Sequence, residues 1–212
     1  MKMDVWHING HTVEYIDKTH TYIVDGVITP SVTQIIKCVF PDKYAGVSEY
    51  MLKSAGRKGT ALHGVIEEYE NNGLEDSLKH KIFKLGYLIP EFKNYLFLKK
   101  KYGFIPLENE VPIVYEYKGK VVFVGRLDQV ALYQNKLTII DIKRTHTLDL
   151  MYLKMQENLY RLGYQQSYKK DIQQLHALYL RNEDRAFKQI PIDEELALKV
   201  IENYLEKRGQ NE

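Results

Sequence analysis

Hydrophobic and polar positions alternate most clearly between Val121 and Arg144, where VVFVGRLDQVALY and KLTIIDIKR flank Gln134-Asn135. Two β-rich runs around a pair suited to a tight turn predict an antiparallel hairpin. With Gln134 and Asn135 as a two-residue loop, Asp128 falls directly across from Asp141. Period-2 alternation then puts Arg126, Asp128, Asp141 and Lys143 on one face, and Ile140 and Ile142 on the other.

The remaining chain supplies partners for this hairpin. Residues 5 to 28 alternate around Asn9-Gly10 and Asp25-Gly26, two hairpin-turn signals. Ser31 caps a helix with an apolar stripe of Val32, Ile35, Ile36 and Val39, stopped at Pro41. A second helix runs from Ser48 to about Asn71, with Gly56 and Gly59 as candidate interruptions and Asn72-Gly73 as its stop. Residues 75 to 102 read as a broken helical segment, with Pro90 as a break or a new first turn. Glu110 to Tyr117 forms a strand that leads through Lys118-Gly119-Lys120 into the hairpin, completing a three-stranded meander. Asp149 caps a helix to about Tyr168; QLHALYL and AFKQIPI make another hairpin, and Asp193 opens a terminal helix. The fold class is α/β: a mixed central sheet flanked by helices, with an N-terminal β-hairpin and a helical insertion.

The candidate chemistry lies in the central hairpin. Opposed carboxylates repel when their Cβ atoms are roughly 5 Å apart, so Asp128 and Asp141 make sense with a cation between them. Charged strands are common on solvated surfaces. LTIIDIK, however, is apolar on both faces, as in a strand covered on two sides, so Asp141 and Lys143 break a buried pattern. Upstream, His63 and Glu67 share a helix face, and Gly56 and Gly59, beside Arg57 and Lys58, would expose amides fit to receive phosphate. Glu110 is a further candidate. A two-residue turn sets it opposite Leu127 and away from the site, whereas a three-residue turn sets it opposite Asp128.

An Asp on one strand followed by Asp-x-Lys on the next resembles the core of the PD-(D/E)xK nucleases, with Asp128, Asp141 and Lys143 in the three positions. KGTALHGVIEEYE is similar to the histidine helix of their RecB-like branch, and Gln156-x-x-x-Tyr160 to that branch's later helix motif. Tyr22 followed by TPSVTQIIK resembles small phage-type exonucleases and the mitochondrial genome maintenance exonuclease. The resemblance implies a restriction-endonuclease-like fold and a metal-dependent exonuclease that hydrolyses DNA, with single-stranded ends preferred. It also implies metal ligation by His63, Asp128, Asp141 and the Ile142 carbonyl, with Glu67 beside them or at a second ion. Gln156 and Tyr160 would flank the scissile phosphate, and Ser31, Thr33, Arg57, Lys58 and Arg126 would contact the strand. Oxygen-rich ligands suit Mg²⁺ or Mn²⁺. A structure-specific endonuclease of the same fold, and a catalytically silent nucleic-acid-binding protein, remain the alternatives. A recombinase, helicase or single-strand-binding protein is a possible partner.

Composition narrows the classes. The chain has 212 residues, expected to form one domain over 1–212 that buries about 70% of its unfolded surface. Cys38 is the single cysteine, which excludes a disulfide framework and the four-cysteine iron–sulfur cluster that several RecB-like relatives carry. The opening residues contain no apolar h-region, and no run approaches the 18 or so apolar residues that span a bilayer, so the expected location is cytoplasmic, in a cell or as a phage product. A net charge of +2 says little about partners.

Overall fold

The structure is a computed structural model that describes residues 3–41 and 48–209. Its centre is a five-stranded sheet, built from β5 (Ile105–Tyr117), β6 (Lys120–Tyr133), β7 (Lys136–Lys143), β8 (Gln174–Arg181) and β9 (Asp184–Ile190), in that spatial order. β7 and β8 run parallel and the other pairs antiparallel, so the sheet is mixed. A parallel pair needs a long crossover, and α5 (Leu150–Tyr168) supplies it.

β7 lies in the middle, and its residues divide between two cores. Ile139 packs with Ile35, Leu159 and Ile201, on the face covered by α1 (Val32–Val39), α5 and α6 (Glu194–Gly209). Ile140 and Ile142 pack with Leu62, Phe92 and Leu178 on the opposite face. That second face is covered by α2 (Glu49–Asn72), α3 (Asp76–Lys84) and α4 (Leu88–Tyr102). The apolar character of both faces of LTIIDIK thus has its physical cause: helices cover it on two sides.

The N-terminal hairpin signals mature into more than a hairpin. β1 (Met3–Ile8), β2 (His11–Ile16), β3 (Thr21–Val24) and β4 (Val27–Thr29) form a separate antiparallel sheet. Val13, Tyr15, Tyr22 and Val24 pack from it onto Val114 and Val124 of the central sheet. A backbone bond from Val124 N–H to the Pro30 carbonyl, 3.0 Å, ties the two sheets beside the start of α1. Among the described residues, no helix is long and apolar enough to cross a membrane.

Two expectations about the helices need correcting. α2 runs unbroken through Gly56 and Gly59, so their amides serve the helix and offer no phosphate cradle beside Arg57 and Lys58. The continuous hydrogen-bond ladder outweighs the intrinsic cost of two glycines, about 1 kcal/mol each. The helical insertion between the N-terminal strands and the meander, which carries Arg57, Lys58 and the lysines at 99 to 101, is placed in sequence to arch over the metal site, but its part at 75–102 does not do so. Instead, α4 lies on β8 and β9, and α3 packs against α2 and α4, in a core that includes Leu78, Ile82, Leu88 and Phe92. Lys99 is held by Glu70 at 2.6 Å. Burying that apolar stripe outweighs any arch that would leave it in water.

Candidate active site

The β6–β7 hairpin turns at Gln134 and Asn135, both with positive φ, and pairs Tyr133 with Lys136 through to Gln129 with Ile140. At the next step the pairing gives way. The Asp128 carboxylate takes the Ile142 N–H at 2.6 Å, in place of a backbone acceptor. The side chains of Asp128 and Asp141 are therefore held where the two strands part.

His63 comes to this place from α2. Its Nε2 donates to the Ile142 carbonyl at 3.0 Å, while Nδ1 faces Asp128 Oδ1 at 3.3 Å and Glu110 Oε1 at 3.8 Å. Both ring nitrogens face acceptors, which suits the doubly protonated ring. Burial opposes that charge, but Asp128 and Glu110 outweigh it and push His63 up to about 10. Burial would likewise raise the Asp128 carboxyl, yet His63, Lys143 and the Ile142 amide hold it below its usual range.

Glu110 reaches the site by an irregularity in the β5–β6 pairing. The turn at Lys118-Gly119 has two residues, which alone would turn Glu110 away. A bulge at Val122 lets Tyr115 pair with Phe123 while Glu116 pairs with Val121, and this shift places Asn109 opposite Gln129 and Val111 opposite Leu127. Glu110 between them adopts φ 49°, a left-handed conformation that costs a non-glycine residue on the order of 1–3 kcal/mol. Arg126 Nε donates to its Oε2 at 2.7 Å.

Asp141 is almost wholly buried, at 1% exposed, and its Oδ1 accepts from Lys143 Nζ at 2.7 Å. Burial pushes its carboxyl up to about 6, with Asp128 adding to the rise and Lys143 opposing it. Burial also opposes the charge on Lys143, but Asp141 and Asp128 prevail and hold the amine above the usual lysine range. From α5, Gln156 Nε2 donates to the Tyr160 hydroxyl at 3.2 Å. Beside it lies a residue that sequence reasoning missed. Glu157 is fully buried, neither of its carboxylate oxygens has a hydrogen-bond partner, and burial followed by Asp141 drives its carboxyl well above the ordinary range. A signal existed: Leu153, Gln156, Glu157, Tyr160 and Tyr164 fall on one helical stripe, so Glu157 occupies a core position.

The donor set fits a hard divalent cation. Ligand atoms of His63, Glu110 and Asp128 all lie within 4.8 Å of one another, while Asp141 Oδ2 is paired with Lys143 Nζ at 2.5 Å. Two carboxylates and one imidazole suit Mg²⁺ or Mn²⁺ better than a soft metal. Asp141 is outside that trio, drawn toward Lys143. Glu67 is half-buried one turn beyond His63 and also outside it. Ser31 caps α1 and, with Thr33 and Arg126, lines a pocket next to the cluster. Arg57 and Lys58 are exposed on the first half of α2.

No curated protein matches the chain. Among solved structures, one titled "Crystal structure of SSO0001" is 22% identical, covering 69% of this chain and 73% of that one, with a TM-score of 0.37, too loose a likeness to bear on the site. The model of the PD-(D/E)XK nuclease superfamily matches residues 42–211, which include His63, Glu110, Asp128, Asp141, Lys143, Gln156 and Tyr160. Spanning most of its length with that match, the chain belongs to the PD-(D/E)XK nuclease superfamily, whose members use divalent metal ions.

Proposed function

We propose that the protein is a Mg²⁺- or Mn²⁺-dependent exonuclease of the RecB-like branch, acting as one domain that hydrolyses phosphodiester bonds of DNA from single-stranded ends. The observation that carries the reading is the gathering of His63, Glu110 and Asp128 beside the Asp141–Lys143 pair, at the point where β6 and β7 part. Asp128, Glu110 and His63 would hold the ion, with Asp141 and the Ile142 carbonyl as further oxygen donors beside them and Glu67 one turn beyond His63. A bound divalent ion supplies Lewis-acid polarisation of the phosphate and a water more acidic than bulk water. The residues do the rest. Lys143, raised above the usual lysine range by Asp141 and Asp128, donates hydrogen bonds that orient the attacking water and offset the charge developing on the phosphoryl oxygens. Gln156 spends one amide hydrogen on Tyr160 and has a second for a phosphate oxygen. Ser31, Thr33 and Arg126 bind the neighbouring backbone, with Arg57 and Lys58 as outlying charges.

The test is a comparison of labelled linear and covalently closed circular single strands of one sequence, incubated with Mg²⁺, Mn²⁺ or EDTA. We expect rapid loss of the linear strand with either metal, none with EDTA, and a circle cut far more slowly. Equal rates on circle and linear strand would show that no end is needed and favour an endonuclease. Absence of cleavage together with retained strand binding would favour a silent nucleic-acid-binding protein.

A further inference from the structure

Asp141, Lys143 and Glu157 are largely buried together beneath α5. On β7, Asp141 and Lys143 alternate with Ile142 and so lie on the face of the sheet where Ile139 packs with Leu159 of α5. Asp141 is paired with Ala177 of β8, a member of the same core. Glu157 comes to this face from the helix. It stands one turn from Leu153 and Tyr160 and two from Tyr164, all three core residues. It is 0% exposed, and neither carboxylate oxygen has a hydrogen-bond partner. A carboxyl group buried without a partner opposes folding, and an apolar side chain of similar size would fill the same place at less cost.

Electrostatics tie Glu157 to Lys143. Burial and then Asp141 drive the Glu157 carboxyl well above its ordinary range, while Lys143 opposes the rise. Burial opposes the charge on Lys143; Asp141 and Asp128 outweigh it, and Glu157 adds to their pull. Yet Lys143 holds only one of its two carboxylate neighbours. Its Nζ meets both oxygens of Asp141, at 2.7 and 2.5 Å. With both oxygens so occupied, Asp141 stands outside the trio of His63, Glu110 and Asp128. To act as a donor to a divalent ion, Asp141 must turn at least one oxygen away from Lys143. The ammonium side chain is 18% exposed, and an uncompensated charge in such a place is strongly unfavourable. Glu157 is the neighbouring carboxylate with both oxygens open to receive it.

We propose that Glu157 is a positioning residue that gives Lys143 a second seat, taking up its ammonium group when Asp141 turns to the metal ion and so keeping it beside the attacking water. The proposal rests on the nuclease reading and deepens it, because it accounts for a carboxylate whose burial brings the fold no hydrogen bond. One charge-assisted hydrogen bond replaces another, so Asp141 can leave Lys143 without stranding it. The ammonium that opposes the rise in the Glu157 carboxyl would hold it ionised on contact.

The experiment compares the full chain with Glu157→Gln and Glu157→Leu. In urea melts with EDTA, both variants should be as stable as the parent or more so, since each removes a buried carboxyl without a partner. Calorimetric titration with Mn²⁺ should show affinity weakened by roughly tenfold or more in Glu157→Leu, the effect of losing a hydrogen bond to a charged group, and by less in Glu157→Gln, whose amide oxygen still accepts from the ammonium. That weakening should vanish when Lys143→Met is present in both proteins compared. On linear single strands, kcat should fall in the same order at unchanged KM. Both variants melting well below the parent in EDTA would show that the fold itself requires Glu157 and overturn the proposal. A loss of Mn²⁺ affinity that persists in the Lys143→Met background would also overturn it, since Glu157 would then not act through the lysine. Parental Mn²⁺ affinity in both variants would overturn it and leave the nuclease reading standing. A parent that neither binds Mn²⁺ nor cleaves any strand would remove the nuclease reading and the proposal with it.

Discussion

At the scale of single residues, the site is a set of charges that constrain one another. Asp128→Asn, Asp141→Asn and Lys143→Ala should each lower metal-dependent cleavage by about two orders of magnitude or more, because members of a catalytic unit fail together; a metal-dependent rate within tenfold of the parent for any of them would remove that residue from the unit. His63 makes a separate prediction about pH. Its folded value, about 10, lies above the ordinary 6.5, so its contribution to metal-free stability is fully present below pH 6.5 and is lost as pH rises through about 10. Thermal melts in EDTA should therefore fall between pH 7 and 10, and His63→Ala should remove that slope. Metal ligation requires the same nitrogen without its proton, so the Mn²⁺ concentration at half-maximal rate should fall over the same pH range. These side chains were largely legible from the Asp, Asp-x-Lys and histidine-helix patterns. Glu157 was not, because a carboxylate in a helical sequence is read first as solvated.

At the scale of elements, α5 carries Gln156, Glu157 and Tyr160 and must lie close to β5 to present them. Gly163 permits that approach: a Cβ there would meet Ile113 Cδ1 at 2.5 Å and Phe123 Cε2 at 3.3 Å. Gly163→Ala should cost about 1–3 kcal/mol by overpacking. Adding Ile113→Val, which deletes the clashing methyl, should recover part of the loss in urea melts, whereas additive losses would mean that the contact does not set the α5 position. The hairpin register needed only the Gln134-Asn135 turn and period-2 patterning. The register of β5 needed more, because Val122 is one β-former among Val121, Phe123 and Val124 and nothing local marks it as the bulged residue. The bulge exists because it allows both Tyr115 and Phe123 to stack in one core, with ring centroids 5.0 Å apart.

At the scale of the whole molecule, two cores meet at β7, and the site sits where three separate segments converge on its end. Metal binding should therefore report on global stability. At a concentration about 100 times the dissociation constant, an ion that binds only the folded state adds about 2.7 kcal/mol. For a chain of this size that is a rise of roughly 5–10 °C in melting midpoint. Mn²⁺ should produce such a rise in the parent and little in Asp128→Ala; an equal rise in both would place the ion away from this cluster.

What the sequence by itself determined was local: the period-2 strands, the Asn-Gly and Gln-Asn turns, the Ser and Asp helix caps, and the order of His63, Asp128, Asp141 and Lys143 along the chain. Each follows from interactions among residues a few positions apart, which a linear reading captures. Tertiary structure alone decided that Glu110 joins His63 and Asp128, that α4 lies on the sheet with α3 packed against α2 and α4, and that the N-terminal sheet walls a pocket beside the cluster. Those outcomes depend on which apolar faces bury each other and on a one-residue bulge that moves the pairings from Tyr115–Phe123 to Glu108–Val130, and such choices are made between segments distant in sequence.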